Sequence, residues 1–94
     1  MPCVYVYIVE CSDGTFYTGW TTDLARRVAA HNAGRGSRYT RPRRPVVLKY
    51  WERQPDRAAA QRRELAIKRL SHPGKRRLVS RFEAAGGSSS QESP

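Results

Sequence analysis

An arginine and a histidine lie one helical turn apart on a predicted helix in the first third of the chain. With Leu24 as the zero of the helical wheel, His31 falls at about −20° and Arg27 at about −60°. Both therefore flank the apolar stripe, whereas Arg26 points towards solvent. A guanidinium beside the core needs an anionic partner, because burying it unpaired is costly. The alternatives are an Arg27 that extends along the helix edge to solvent and a His31 that is partly buried with a backbone partner.

A single carboxylate stands among basic residues in the second half of the chain. Glu64 is the only acid between Asp56 and Glu83. It lies at the border of the apolar face of its predicted helix, where it is well placed to hold a hard divalent cation beside a phosphate. The alternative role is an i,i+4 ion pair with Lys68, worth roughly a few tenths of a kcal/mol. The basic residues around it are Arg57, Arg62, Arg63, Lys68, Arg69, Lys75, Arg76 and Arg77.

Two tyrosines, Tyr7 and Tyr17, lie on the two strands of a predicted hairpin. A two-residue loop at positions 13–14 would place the phenols on opposite faces of the strand pair. A three-residue loop at positions 12–14, with Gly14 left-handed in a bulge, places both phenols on one face and Tyr7 opposite Gly19. Gly19 would then leave space beside the Tyr7 ring. Both tyrosines could instead be ordinary core aromatics.

The loop over residues 34–45 is rich in arginine and has no acidic residue. Basic side chains with an aromatic residue between them suit a phosphate backbone and an unstacked base. The loop could also be merely solvated. Its candidate nucleic-acid-binding residues are Arg35, Arg38, Tyr39, Arg41, Arg43 and Arg44.

The elements that position these residues follow from hydrophobic patterning and from turn and capping residues. The predicted strands cover residues 4–9, 15–19 and 46–52. The predicted helices cover residues 22–32, 55–70 and 73–82, the second being the longest. The order ββαβαα predicts an α/β fold in which a small three-stranded, antiparallel-containing sheet is flanked by helices. Residues 1–83 are the predicted domain, and residues 84–94 are a predicted disordered tail.

Length and charge limit what the chain can do. Ninety-four residues are enough for one small domain, and the formal net charge of +10 comes mainly from arginine. This charge indicates a polyanionic partner, nucleic acid before anionic membrane. No apolar run approaches the roughly 20 residues of a membrane span. We expect a monomeric cytoplasmic protein in which the two cysteines stay free, because Cys3 and Cys11 are too far apart along one strand to bridge.

Together these residues resemble the GIY-YIG nuclease family, particularly its small stand-alone bacterial members. The resemblance covers residues 4–79. The two tripeptides of the family correspond to Tyr5-Val6-Tyr7 and Tyr17-Thr18-Gly19. Tyr5 competes with Tyr7 for the first match, and we prefer Tyr7. The helix with Arg27 and His31, the basic loop, and Arg63-Glu64 follow in the family's order.

The resemblance implies a metal-dependent endonuclease that hydrolyses phosphodiester bonds, with DNA rather than RNA as the expected substrate, single-stranded or branched. Glu64 would hold one Mg²⁺ or Mn²⁺ ion, and Arg27 would stabilise the transition state. Tyr7, helped by His31, would position or deprotonate the attacking water, and Tyr17 would hydrogen-bond the water or phosphate. An ordinary tyrosine is a poor base at neutral pH, so we expect Arg27 and the metal to lower the pKa of Tyr7. All five side chains are expected to point into one cleft.

Two other hypotheses remain open. The chain has no asparagine after Asn32, whereas many family nucleases have a late asparagine in the site. This favours a non-catalytic nucleic-acid-binding module that retains the fold. The third hypothesis is a peripheral protein of anionic membranes. Against it, the chain has no predicted amphipathic helix with a large exposed apolar face.

Overall fold

The central strand of the sheet is the most apolar segment of the chain. Strand β1 (Val4–Glu10) alternates β-branched and aromatic residues and is buried on both faces. A computed structural model describes residues 3–86. In it β1 pairs antiparallel with β2 (Phe16–Thr21) on one side and with β3 (Val47–Gln54) on the other. The sheet order is β2-β1-β3, which confirms the predicted three-stranded sheet.

The β1–β2 hairpin has the three-residue loop that places both tyrosines on one face. The Cys11 amide donates to the Thr15 carbonyl at 2.8 Å, and Gly14 has a φ of +85°. A positive φ suits glycine because it has no Cβ to clash. Tyr7 pairs with Gly19 and Val9 pairs with Tyr17, so the predicted register is confirmed.

A bulge in β3 decides which of its side chains face inward. Ile8 pairs with Tyr50 and Val9 with Leu48, so Lys49 is the extra residue. The bulge shifts the alternation by one, because two residues of β3 oppose one of β1. Leu48 is thereby buried, while the half-buried Lys49 reaches Glu10 at 3.9 Å.

Three helices complete the fold in the predicted order ββαβαα. Their bounds are α1 (Leu24–Asn32), α2 (Arg57–Lys68) and α3 (His72–Ala84). They are capped by the side chains of Asp23, Asp56 and Ser71, each of which accepts a backbone N–H of the first turn. The expectation that α2 is the longest helix is wrong. It has 12 residues against 13 in α3, because the Asp56 cap and the end at Lys68 shorten α2 while α3 begins after the Ser71 cap and runs to Ala84.

The sheet separates two apolar clusters. On one face, Val28 of α1 packs with Tyr7, Val9 and Leu48. On the other face, Ala60 and Ile67 of α2 and Val79 of α3 pack with even-numbered residues of β1. Helix α1 therefore lies on one face of the sheet, and α2 and α3 lie on the other.

The end of the predicted domain is close to the end of the described chain. Helix α3 continues through Ala84, one residue beyond the predicted boundary at 83. The rest of the predicted disordered tail, from position 87, lies outside the described residues. Cys3 and Cys11 are free, as expected. No helix among residues 3–86 is long and apolar enough to cross a membrane.

The hydroxyl of Thr18 yields a stability prediction. Thr18 is 2% exposed, and its Oγ1 has no hydrogen-bond partner among the described residues. A buried unpaired hydroxyl costs roughly 1–3 kcal/mol. We expect Thr18→Val to stabilise the fold by about 1 kcal/mol and to raise the Tm by several degrees. Thr18→Ser, which keeps the hydroxyl and removes the buried methyl, should lower the Tm. Thermal unfolding followed by circular dichroism checks both, and a lower Tm for Thr18→Val would contradict an unpaired Thr18 hydroxyl.

Candidate active site

Tyr7 occupies the centre of the α1 side of the sheet because Gly19 lies opposite. Its ring crosses the neighbouring strand, and a Cβ built on Gly19 would lie 2.6 Å from the Tyr7 hydroxyl. Only glycine leaves room for the ring there. Tyr7 is 1% exposed and is bonded to residues of α1, whereas Tyr5 packs edge-on against Trp51 with ring centroids 5.7 Å apart. Tyr7, and not Tyr5, therefore lies beside Arg27 and His31.

Arg27 of α1 is held by two neutral oxygens. Its Nε donates to the Tyr7 hydroxyl at 3.2 Å, and its Nη2 donates to the Gly36 carbonyl at 3.1 Å. The hydrogen bond to Tyr7 is the main cause of its raised pKa, so the guanidinium stays charged. The expected anionic partner is not found, because Arg27 makes no ion pair with any residue between positions 3 and 86. The charge is fixed in place but is not neutralised.

His31 is completely buried one turn further along α1. Its Nε2 lies 2.8 Å from the Tyr7 hydroxyl, and its Nδ1 lies 2.9 Å from Oγ1 of Thr40. Both partners are side chains, so the alternative of a backbone partner is wrong. Burial, and then the charge of Arg27, lower the pKa of His31 to about 4. At neutral pH the ring is uncharged.

The pKa of Tyr7 moves opposite to the expected direction. Burial raises it to about 12, although the hydrogen bond and charge of Arg27 lower it. The cost of desolvating the Tyr7 phenolate outweighs its attraction to the Arg27 charge, because protein would enclose the phenolate on nearly all sides. In the resting site, therefore, Tyr7 and His31 form a neutral hydrogen-bonded pair.

Tyr17 is half-buried and lies between His31 and the basic loop. Its ring meets His31 edge-on at 5.3 Å between centroids and stacks on Tyr39 at 6.0 Å. Tyr39 is 37% exposed, and the Arg43 guanidinium lies 4.0 Å from the centroid of its ring. This aromatic group joins the buried site to the surface.

The basic loop, residues 34–45, contains two kinds of arginine. Three of them hold the loop together through Nε: Arg43 pairs with Asp13 at 3.1 Å, Arg41 donates to the Gly34 carbonyl at 3.2 Å, and Arg44 donates to the Arg41 carbonyl at 2.8 Å. Arg35 and Arg38 are exposed, and their side chains make no hydrogen bond or ion pair within the described part of the chain. These two are the ones available to a partner without breaking a structural contact.

Glu64 comes to the site from the opposite layer. Helix α2 packs on the other face of the sheet from α1, and an ion pair of 2.8 Å between Arg63 and Glu52 of β3 ties it there. The tyrosines, Arg27 and His31 come from the α1 side of the sheet, whereas Glu64 belongs to a helix on the other face, and the expectation that all five side chains point into one cleft stays a prediction. The Glu64 charge adds to the raised pKa of Tyr7, so its carboxylate lies within electrostatic range of the phenol.

The Glu64 carboxylate suits one particular kind of metal ion. Its side chain is 19% exposed, and Oε2 lies 3.1 Å from the Lys68 ammonium, so the alternative ion pair is present. Residues 3–86 contain no group of three or more His, Cys, Asp or Glu side chains that could share an ion. A single hard oxygen ligand fits Mg²⁺ or Mn²⁺, which keep most of their water and also bind substrate phosphate. It does not fit a closed structural zinc site.

An open polar cleft of about 510 Å³ adjoins Arg27. Arg26, which the helical wheel places only towards solvent, also lines this cleft. Because two residues join β2 to α1, the first turn of the helix must lie beside the end of β2, and this short link was the available signal. The cleft is lined by Thr21, Thr22, Asp23, Arg26, Arg27 and Ala30.

Comparison with known proteins identifies the family. The model of the GIY-YIG catalytic domain matches residues 3–77. A UPF0213 protein of Desulfotalea psychrophila is 55% identical over 83 residues, which cover 87% of this chain and 76% of that protein. A UPF0213 protein of Halobacterium salinarum is 55% identical over 74 residues, which cover 79% of this chain and 96% of that protein.

Two solution NMR structures share the fold. The UPF0213 protein of Bacillus halodurans is 46% identical with a TM-score of 0.54, and the match covers 83% of each chain. A protein of E. faecalis is 37% identical with a TM-score of 0.61, and the match covers 89% of this chain and 90% of that one. These relatives are small proteins like this one, and the family model covers most of the sequence. The chain thus belongs to the GIY-YIG family.

Proposed function

We propose that the protein is a metal-dependent endonuclease that hydrolyses phosphodiester bonds, in DNA rather than RNA. The observation that carries the proposal is the state of Arg27: a guanidinium fixed by two neutral oxygens, beside an open cleft, and in no ion pair with a carboxylate among residues 3–86. Such a charge is ready for a phosphate oxygen and need not leave an internal ion pair to bind it. Membership of a nuclease family supports the same function.

The neutral Tyr7–His31 pair supplies a route for the proton of the attacking water. As the water oxygen bonds to phosphorus, one water proton moves to the Tyr7 oxygen while the Tyr7 proton moves to Nε2 of His31. The bond from phosphorus to the leaving 3′-oxygen breaks, and that oxygen takes a proton from solvent. His31 then returns its extra proton to the Tyr7 oxygen, and the Tyr7 proton passes to solvent as the product leaves, because His31 itself is buried. Tyr7 ends as it began, so its high pKa does not require a free phenolate.

Arg27 covers the Tyr7 hydroxyl in the resting structure. When the guanidinium turns to a phosphate oxygen, the Tyr7 oxygen is uncovered for water, which limits proton transfer to the substrate-bound state. Mg²⁺ or Mn²⁺ held by Glu64 and a phosphate oxygen would add positive charge at the leaving oxygen. Tyr17, whose ring packs on His31, would hydrogen-bond the phosphate.

A non-catalytic nucleic-acid-binding module is the second candidate function. The ion pair between Glu64 and Lys68 favours it, because a metal ion would have to displace or share the ammonium. A panel of labelled single-stranded, flapped and branched DNA and matched RNA, incubated with and without Mg²⁺, separates the two functions. Retained binding with no cleavage by the wild type under any condition would support the module.

Replacing Glu64 tests the metal site. We expect Glu64→Gln to lower Mg²⁺-dependent cleavage by about 100-fold or more, because the ion loses its only charged protein ligand. Binding without metal should be nearly unchanged, and the lost ion pair costs at most about 0.5 kcal/mol. Glu83→Gln makes the same chemical change at an exposed position of α3 and is the matched control. Full cleavage by purified Glu64→Gln would rule out this role.

The exposed arginines of the loop predict the salt dependence of binding. If Arg35 and Arg38 each contact a phosphate, the double variant to glutamine lowers the slope of log Kd against log salt by about 1.4 to 1.8. Fluorescence anisotropy with a labelled oligonucleotide measures the slope. Arg62→Gln with Arg69→Gln removes the same charge from exposed positions on the opposite layer. If both double variants lower the slope equally, the loop has no special part in binding.

The buried imidazole makes stability depend on pH. The pKa of His31 is about 4 when folded and 6.5 when free, so the unfolded chain binds the proton more readily. The contribution of neutral His31 to the free energy of unfolding is complete above pH 6.5. It is lost as the pH falls towards 4, and the loss reaches about 3 kcal/mol.

His31→Gln should therefore destabilise the protein strongly at pH 7 and progressively less at lower pH. Urea unfolding of wild type and variant between pH 4 and 7.5 measures the difference. His72→Gln removes an exposed histidine and leaves the His31 contribution in place. A wild-type-to-His31→Gln difference that stays constant over this range would refute the assigned burial.

A further inference from the structure

Thr40 is completely buried in the middle of the basic loop, whose other residues are exposed or half-buried. Its Oγ1 lies 2.9 Å from Nδ1 of His31 and 3.0 Å from Oγ of Ser37. It also donates to the Ser37 carbonyl at 3.3 Å, and the Thr40 amide donates to Oγ of Ser37 at 3.1 Å. The hydroxyl is therefore held from two sides, and its one contact with the candidate site is the ring nitrogen that faces away from Tyr7.

The direction of the hydrogen bonds follows from the donors present. Arg27 Nε can only donate, so the Tyr7 oxygen accepts that bond and its own buried proton must go elsewhere. The acceptor within reach is Nε2 of His31. A neutral imidazole that accepts at Nε2 carries its proton on Nδ1, and this proton points at Thr40. Thr40 can accept it because its own proton is directed to the Ser37 carbonyl.

We propose that Thr40 is a positioning residue: its hydroxyl, oriented by Ser37, holds His31 in the tautomer protonated at Nδ1, so that Nε2 is free to take the Tyr7 proton. The consequence for catalysis rests on the nuclease function proposed above, whereas the tautomer itself does not. With the other tautomer, Nε2 would carry a proton, and the route from Tyr7 to His31 would be closed.

The loop is built to keep this contact. A Cβ at Gly36 would lie 2.0 Å from Nδ1 of His31, so the backbone passes directly over the imidazole and only glycine fits there. The Gly36 carbonyl also accepts from Arg27. Residues 36–40 thus contact both α1 residues of the candidate site, and Thr40 is the member of this segment that acts on the imidazole proton.

The direct test is the ¹⁵N spectrum of the imidazole in histidine-labelled protein at pH 7. Nitrogen shifts distinguish a protonated from an unprotonated ring nitrogen, and His72→Gln assigns the His31 signals. We expect wild type to be protonated at Nδ1 and Thr40→Val to shift towards protonation at Nε2. Thr40→Ser, which keeps the hydroxyl, should retain the wild-type tautomer. Thr18→Val removes a buried hydroxyl without partners and should leave the His31 signals in place.

Cleavage kinetics test the functional consequence. Thr40→Val should lower kcat by about 100-fold with little change in KM, because loss of a general acid–base route affects the chemical step. Thr40→Ser should recover most of that loss, which restored packing alone would not explain. If the wild type does not cleave, the proposed nuclease function fails, and the spectrum still decides the tautomer.

Two results would overturn the assignment of Thr40. One is a wild-type His31 protonated at Nε2, and the other is an unchanged tautomer in folded Thr40→Val. If Thr40→Val does not fold, Thr40→Ala takes its place, since it removes the same hydroxyl with a smaller side chain. An unchanged tautomer in folded Thr40→Ala would likewise count against the proposal.

Discussion

The buried hydrogen bond between Tyr7 and His31 is the interaction around which this side of the protein is arranged. It joins the central strand to α1 at 2.8 Å, and neither residue reaches solvent. A buried polar pair is stable only when each of its groups has a partner, because an unsatisfied one loses the hydrogen bonds that water would give. Arg27 and Thr40 supply those partners, and Gly19 and Gly36 make the space that lets the rings approach.

The sheet separates the elements that carry the candidate site residues, as it separates the two apolar clusters. The proton-handling residues and the fixed guanidinium lie with α1, whereas the carboxylate belongs to α2 on the other face. Glu64 and Arg27 form no ion pair with each other, so neither charge neutralises the other. Instead Glu64 is paired with the exposed Lys68, an interaction that is weak in water and easily exchanged.

Much of this arrangement could be predicted from local sequence. The three-residue turn with Gly14 fixes the parity of the hairpin, and strand parity then places Tyr7 and Tyr17 on one face. Helical periodicity placed Arg27 and His31 at the core edge. The position of Glu64 could not be predicted in the same way, because periodicity shows which side of a helix is buried but not which face of the sheet the helix covers.

The roles of the loop residues were also beyond sequence reasoning. Charge alone does not distinguish Arg43, which pairs with Asp13, from Arg38, which has no partner within residues 3–86. Thr40 lies in a segment without periodicity, so nothing in the pattern marked it as buried. The pKa of Tyr7 was expected to fall beside Arg27 and a metal ion, but the larger cost of desolvation depends on packing that only the fold reveals.

The anchoring of the basic loop at both ends has a consequence for affinity. Near α1, Arg27 holds the Gly36 carbonyl, and at the far end the Ser12 amide of the hairpin turn donates to the Arg43 carbonyl at 2.9 Å. A loop held at both ends in this way is preorganised, so the binding of a nucleic acid does not have to order a flexible loop. Since that ordering is one of the main entropic costs of association, a few exposed contacts can be enough for binding.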